Sequence, residues 1–132
     1  MAGNDHINGR GGNDRLEGGL GADVLTGAAG ADRFVFASKL GAGNVDVITD
    51  FVVGRDTIVL DHVLFARLTA GDLGADAFAT GSRAEDGSDR IIYNSRTGAL
   101  SYDADGVGGD KAIQFAELDA GLKLSESDFH IA

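Results

Sequence analysis

The residues with the clearest chemical potential are aspartates that recur every nine positions near the start of the chain: Asp5, Asp14, Asp23 and Asp32. Three further series keep the same interval, two of glycine and one of large apolar residues: Gly3, Gly12, Gly21, Gly30; Gly9, Gly18, Gly27; Ile7, Leu16, Leu25, Phe34. These series indicate an internal repeat. One apolar residue in nine predicts a short strand with a tight turn, because a helix would repeat its apolar stripe every three or four residues.

Turns of this composition offer oxygen ligands to a hard cation. Glycine reaches positive φ without a Cβ clash, so the chain can fold back tightly and leave main-chain carbonyls close to the aspartate. Ca²⁺ prefers six to eight oxygens from carboxylates and carbonyls. If each repeat turns the chain once, turns two repeats apart stack at the strand spacing of about 4.8 Å, and one ion fits between them. The alternative is a plain glycine-rich solenoid with solvated aspartates, which we disfavour because its stacked charges would repel.

Residues 3–36, from GNDHIN to GADRFVF, resemble the RTX (haemolysin-type) calcium-binding nonapeptide repeat. The rest of the chain is similar to the region that follows such repeats in secreted bacterial proteins of the serralysin type. The runs that carry this likeness are DVITDF (46–51), GRDTIVL (54–60), IIYN (91–94), YDADG (102–106), IQF (113–115) and LSESDFHIA (124–132). The resemblance implies an all-β fold, with a short parallel β-roll over residues 1–36 and an antiparallel β cap with a secretion signal over 37–132, as one continuous module.

The resemblance also implies ligand sets for Ca²⁺, drawn from the second, fourth and sixth positions of one turn and the first, third and sixth positions of the turn two repeats later. One complete site would use Arg10, Gly12, Asp14, Gly27, Ala29 and Asp32. A second would use Gly3, Asp5, Gly18, Leu20 and Asp23, with its remaining position on Met1. A third would use Gly19, Gly21 and Asp23, closed by Asp50 or Asp56. Arg10 and Ala28 replace the repeat's second glycine, which costs turn flexibility but removes no backbone oxygen.

The region after the repeats is predicted to cap the open end of the roll, because a solenoid would otherwise expose strand edges and one apolar face. Short β-type runs are predicted at 47–48 and 57–60, a hairpin at 90–93 and 99–102, and a third strand at 111–115. Val63, Leu64 and Leu68 are expected either to form one helical turn or to pack on the roll. The loop with Asp103, Asp105 and Asp110 is interpreted as a structural turn, with an accessory ion site as the alternative, since an EF-hand would need a glutamate where Gln114 stands.

Composition limits the possible partners. The chain has 132 residues, a formal net charge of −10 and no cysteine. The negative charge argues against nucleic acid or an anionic membrane as a partner. The lack of cysteine excludes disulfides and thiolate metal sites. We also find neither an apolar run of about 20 residues nor a signal-peptide pattern, so we expect no membrane insertion and a different export route.

Motifs for catalysis are missing from the sequence. His6, His62 and His130 form no His-Glu-x-x-His motif, no serine lies in a Gly-x-Ser-x-Gly elbow, and Lys111 of GVGGDK is followed by alanine. We therefore expect a non-catalytic module, and we expect it to be monomeric. The resemblance implies that it is secreted, folds with Ca²⁺ outside the cell and meets the type I secretion machinery during export. Two alternatives stay open: a polysaccharide-binding module, as with similar repeats in some alginate-modifying enzymes, and an adhesin-type surface module.

Overall fold

The computed structural model describes residues 6–19, 21–37, 45–63, 65, 71–73, 77–81, 90–103 and 113–132. The strands of these residues are β1 (His6–Asn8), β2 (Arg15–Leu16), β3 (Val24–Thr26), β4 (Arg33–Phe36), β5 (Asp46–Ile48), β6 (Thr57–Leu60), β7 (Gly71–Asp72), β8 (Phe78–Thr80), β9 (Ile91–Tyr93), β10 (Ala99–Tyr102), β11 (Ile113–Glu117) and β12 (Phe129–Ile131). A short 3₁₀ turn, Glu126–Asp128, precedes the last strand. Among the described residues, no helix is long and apolar enough to cross a membrane.

The strands form two sheets, and successive repeats alternate between them. One sheet has the order β1-β3-β5-β11-β10-β9-β8 and the other the order β2-β4-β6-β12-β7. Leu25 lies in register with Ile7 in the first sheet, and Phe34 with Leu16 in the second, both in parallel pairs. Turns two repeats apart therefore stack on the same side. The prediction of an all-β fold with a parallel β-roll and an antiparallel cap is confirmed.

The parallel ladders continue past the last nonapeptide repeat. In one sheet β5 pairs with β3, which places Ile48 beside Leu25, and in the other β6 pairs with β4, which places Ile58 beside Phe34. Both strands were predicted, but as part of the cap; in the structure they pair as further rungs of the ladders. The division of the chain between residues 36 and 37 stays a prediction.

The core lies between the two sheets, and β2 to β6 each contribute at least one large side chain to it. The buried inward residues of these rungs are Leu16, Leu25, Phe34, Ile48 and Ile58. The single large apolar position of each nonapeptide repeat is therefore the position that faces the core. An aromatic cluster continues the core into the cap, where Phe115 packs edge-on against Phe36 and Phe65 at ring-centroid distances of 5.2 Å and 5.1 Å.

The cap is built on the predicted hairpin. Antiparallel β9 and β10 place Tyr93 opposite Leu100, and their turn closes with a hydrogen bond of 2.7 Å from the Gly98 N–H to the Asn94 carbonyl. The predicted third strand is β11, antiparallel to β10; its first predicted residues, 111 and 112, lie outside the described residues. On its other edge β11 runs parallel to β5, which joins the cap to the roll.

The C-terminal strand is inserted into the second sheet. β12 runs parallel to β6 and antiparallel to β7, with Phe129 beside Ile58. The Ala132 N–H donates to the Leu60 carbonyl at 2.8 Å, and the His62 N–H donates to the Ala132 carbonyl at 2.9 Å. The last residues of the chain therefore complete the rung that follows β6.

A hydrogen-bonded turn follows β6, and the two alternatives expected for this segment, one helical turn or packing on the roll, both stay predictions. The Phe65 N–H donates to the Asp61 carbonyl at 2.8 Å, and Val63 on this turn is 77% exposed. Leu64 and Leu68 lie outside the described residues.

Candidate calcium site

Two positions in each of the three described repeat turns have left-handed backbone conformations. At the second position, φ is 67° for Arg10, 79° for Gly19 and 64° for Ala28. At the fourth position, φ is 97° for Gly12, 104° for Gly21 and 101° for Gly30. Glycine adopts such angles freely, whereas a residue with a Cβ is strained there. Arg10 and Ala28 thus keep the backbone of the repeat at the expense of local strain.

The aspartates of stacked turns are connected by identical hydrogen bonds. On one side of the roll, the Asp14 N–H donates to Asp32 Oδ1 and the Asp32 N–H donates to Asp56 Oδ1, each at 2.9 Å. We call Asp14, Asp32 and Asp56 the first column. On the other side, the Asp23 N–H donates to Asp46 Oδ1 at 2.9 Å, and we call these two residues the second column. Asp32, Asp56 and Asp46 therefore each bind the preceding turn on their side through Oδ1, which leaves Oδ2 for a further partner.

In the first column, two of these second oxygens are buried. Oδ2 of Asp14 and Oδ2 of Asp32 accept no hydrogen bond from any described residue, and Asp32 is only 1% exposed. A buried ionised carboxylate without compensation costs several kcal/mol, and a bound cation removes that cost. The observation therefore points to a cation between the turns.

Glycine at the first position of each turn makes room for these oxygens. A Cβ on Gly9 would lie 2.7 Å from Asp14 Oδ2, and a Cβ on Gly27 would overlap Asp32 Oδ2. Real Cβ atoms essentially never come so close. Gly9 and Gly27 are required for the approach of the carboxylate rather than for a left-handed φ.

The six residues of the complete predicted site lie on two stacked turns. Arg10, Gly12 and Asp14 belong to one turn, and Gly27, Ala29 and Asp32 to the next turn on the same side. A Cβ on Gly30 would overlap the Gly12 carbonyl oxygen, so these turns approach closely enough to share an ion. Their carboxylates and carbonyls are the oxygen donors that Ca²⁺ prefers, and the donor set fits this ion. The individual ligands stay predictions.

The second predicted site lies partly outside the described residues, as Gly3, Asp5 and Leu20 are not described. Gly18 approaches Asp23 as Gly27 approaches Asp32, since a Cβ on Gly18 would overlap Asp23 Oδ2. Gly19 and Gly21 lie on the turn that leads to Asp23, with the left-handed angles given above.

Asp46 is a further candidate site residue, which the sequence analysis did not single out. Burial raises its pKa to about 7, and the charge and side-chain hydrogen bond of Asp23 act in the same direction, against the lowering effect of the Asp23 N–H. The interval from Asp23 to Asp46 is 23 residues instead of 18, so the nine-residue period does not reach it. A usable signal existed in the triplet Asp46-Val47-Ile48, which matches Asp23-Val24-Leu25.

Asp50 and Asp56, the residues expected to close the third site, bind backbone N–H groups. Asp50 accepts hydrogen bonds from the N–H groups of Gly27 at 2.9 Å and Ala28 at 2.7 Å. Asp56 accepts one from Asp32, as above, and another from the Val52 N–H at 2.8 Å. The carboxylate that accepts the Asp23 N–H is that of Asp46, so Asp46 is a third candidate for closing this site.

Side chains alone do not form a metal centre in the part of the chain that the structure describes, since it contains no group of three or more His, Cys, Asp or Glu residues placed to hold an ion. This agrees with a site in which main-chain carbonyls supply most ligands. Asp103 is buried in the cap, whereas Asp105 and Asp110 lie outside the described residues.

The comparison with family models assigns the N-terminal segment. Residues 1–34 match the model of the RTX calcium-binding nonapeptide repeat, in four copies. The resemblance to RTX calcium-binding repeats is therefore confirmed for these residues; the likeness of the later region to serralysin-type proteins stays a prediction. A search of curated proteins found no significant match to the chain.

Proposed function

We propose that this chain is a calcium-triggered folding module, carrying a C-terminal type I secretion signal, of a larger secreted bacterial protein. One observation carries the calcium part: Asp32 is buried, yet its Oδ2 accepts no hydrogen bond from any described residue. In this proposal Asp14 and Asp32 bind Ca²⁺ together with the carbonyls of Arg10, Gly12 and the facing turn. RTX repeats are typical of secreted proteins, which supports the extracellular setting.

Calcium acts on the folding equilibrium. Without a cation, folding must bury carboxylates, order many glycines and compress a chain of net charge −10. An ion that binds only the folded form adds about 2.7 kcal/mol per site at a hundredfold excess over Kd. Extracellular modules bind Ca²⁺ in the range of about 10⁻⁴–10⁻³ M. Cytosolic calcium stays below this range, so the chain remains unfolded inside the cell and folds outside it.

The position of the C-terminal strand supports the export part of the proposal. Phe129 and Ile131 are buried in the sheet beside β6. A transporter that recognises this segment would meet it only in the unfolded chain. Folding after export then hides the signal, which makes passage one-directional. Deleting residues 124–132 should abolish accumulation in the medium of a host with a type I transporter; undiminished export would contradict this part alone.

Circular dichroism tests the calcium part with a matched pair of variants. We expect a β-sheet spectrum in millimolar Ca²⁺ and an unfolded spectrum in chelator. Asp32→Asn should require at least tenfold more Ca²⁺ to fold. Asp119→Asn, which makes the same charge change at an exposed position after β11, should behave as the wild type. The same β-sheet spectrum in chelator, or identical titrations of the two variants, would contradict the proposal.

A second candidate function, binding of an anionic polysaccharide, is favoured by one feature of the roll. Arg15 and Arg33 lie in register on neighbouring strands β2 and β4, and both are exposed. Like charges side by side repel unless an anion lies between them. Glu17 lies 4.0 Å from Arg15 and compensates the charge of that arginine, but not the charge of Arg33. Retention on a polyuronate column that is lost in the double variant Arg15→Gln/Arg33→Gln would support this function, and equal retention of both proteins would exclude it.

A further inference from the structure

The turn over residues 51–56 continues the first column beyond the nonapeptide repeats. Its Asp56 Oδ1 accepts the Asp32 N–H at 2.9 Å, just as Asp32 accepts the Asp14 N–H. The strand that follows, β6, pairs with β4 from its first residue, Thr57, beside Arg33. By stacking alone, this turn and the turn over residues 27–32 repeat the arrangement proposed to hold Ca²⁺.

The carboxylate of this third turn differs from the two before it. Asp56 is buried, but its Oδ2 accepts the Val52 N–H at 2.8 Å. Oδ2 of Asp14 and of Asp32 accept no hydrogen bond from a described residue. The third turn therefore satisfies its own carboxylate and does not need an ion for that purpose.

A side-chain cation, Arg55, reaches from the third turn to the second at the surface of the roll, with 45% of its side chain exposed. Arg55 Nη2 donates to the Ala28 carbonyl at 3.3 Å, and Arg55 Nε lies 3.9 Å from Asp56 Oδ1. Ala28 holds the position in its turn that Arg10 holds eighteen residues earlier, with nearly the same φ, 64° against 67°. The Arg10 carbonyl is a proposed Ca²⁺ ligand, and the equivalent Ala28 carbonyl meets a guanidinium. A guanidinium carries its charge at all accessible pH values and donates to oxygens that would otherwise face an ion.

We infer that Arg55 is the resident cation at the end of the first column and takes the place of a Ca²⁺ ion between the turns 27–32 and 51–56. This inference rests on the proposed function, because it assumes that the preceding pair of turns binds Ca²⁺. Arg55 thereby fixes the number of ions on this side of the folded roll. Removing its side chain opens a latent calcium site whose ligands include the Ala28 carbonyl and Asp32.

The test counts bound ions in Arg55→Ala and in a control, Arg96→Ala, by equilibrium dialysis with atomic absorption. Arg96 is exposed in the turn between β9 and β10, so its loss changes the net charge equally without touching the column. We expect Arg55→Ala to bind one Ca²⁺ more per chain than Arg96→Ala. Its folding, followed by circular dichroism, should depend more steeply on calcium concentration, since one more ion is taken up per molecule.

Three results would overturn the inference. Equal ion counts for the two variants, with Ca²⁺ bound to both, contradict it and leave the proposed function intact. An Arg55→Ala chain that stays unfolded in saturating Ca²⁺ also contradicts it, since an ion should replace the lost charge. A wild-type chain that binds no Ca²⁺ overturns the proposed function and the inference with it.

Discussion

The glycine that precedes Asp32 by five residues gives the sharpest test of the site geometry. A Cβ introduced by Gly27→Ala would overlap Asp32 Oδ2 and would also crowd the Cγ and Cβ atoms of the same side chain. The carboxylate must therefore move. The matched control is Gly11→Ala, because among the described residues nothing lies within 4 Å of a Cβ there and φ is not left-handed. The equivalent position of the next turn on the same side of the roll is already an alanine, Ala29.

The magnitude follows from what Asp32 contacts. Moving its carboxylate breaks the 2.9 Å hydrogen bond from the Asp14 N–H to Oδ1. A hydrogen bond to a charged group contributes about 1.5–3 kcal/mol. The free energy of unfolding in calcium should therefore fall by at least this amount in Gly27→Ala, and further where the ion loses an oxygen ligand. Gly11→Ala should be neutral or stabilise by up to about 1 kcal/mol, through lower entropy of the unfolded chain.

Urea unfolding in saturating Ca²⁺, monitored by circular dichroism, measures both variants under one condition. A calcium titration without urea adds the second readout, in which Gly27→Ala should fold only at higher calcium concentration. Coincident urea midpoints and coincident titrations for Gly27→Ala and Gly11→Ala would refute the reasoning. They would mean that Asp32 Oδ2 does not occupy the space beside Gly27.

Three further predictions concern backbone strain, pH and the C-terminal strand. Ala28→Gly removes the backbone strain of a residue held at φ 64°. The free energy of unfolding in calcium, measured by urea unfolding, should therefore rise by about 1 kcal/mol. A decrease in this free energy would contradict the presence of strain at Ala28. Burial raises the pKa of Asp46 to about 7, from an ordinary value of 3.8 that we take for the unfolded chain. The protonated carboxyl therefore contributes fully to the free energy of unfolding below pH 3.8. This contribution is lost as pH rises through 7, at up to about 1.4 kcal/mol per pH unit. In chelator, the trimethylamine N-oxide concentration needed for folding should therefore rise from pH 5 to pH 8, and Asp46→Asn should flatten this dependence; an unchanged slope would refute it. Ile131→Ala, at a residue 1% exposed, should cost about 2–5 kcal/mol in urea unfolding, whereas His130→Ala on the exposed face of the same strand should not; equal losses would contradict the burial of β12.

The sequence allowed much of the fold to be predicted because local patterns fix it. The single apolar residue of each repeat predicted the rungs at Leu16, Leu25 and Phe34, and the turn before Gly98 predicted the hairpin of the cap. The pairing of β12 with β6 could not be predicted, since it joins residues about seventy positions apart. The sequence of a three-residue strand does not specify its pairing partner, because strand preferences depend on the neighbouring strands of the folded sheet.

The candidate site was predictable where the period is strict and not where it is interrupted. The spacing of Asp14 and Asp32 placed them on stacked turns, as the structure has them. Asp46 was missed because the longer loop before it breaks the nine-residue interval. Asp50 was predicted, as an alternative to Asp56, to close the third site. Its carboxylate accepts hydrogen bonds from the N–H groups of Gly27 and Ala28, and its role as an ion ligand stays a prediction. An aspartate after a repeat can either bind an ion or accept hydrogen bonds from backbone N–H groups, and the sequence alone does not distinguish these two roles.

The most direct test of the central claim is a crystal structure grown in calcium, with anomalous scattering data collected to locate the ion. We predict a strong anomalous peak between the turns 9–14 and 27–32, with oxygens of Asp14 and Asp32 at about 2.3–2.6 Å from it. Well-ordered turns with no peak between them, or a peak that neither carboxylate contacts, would contradict the account.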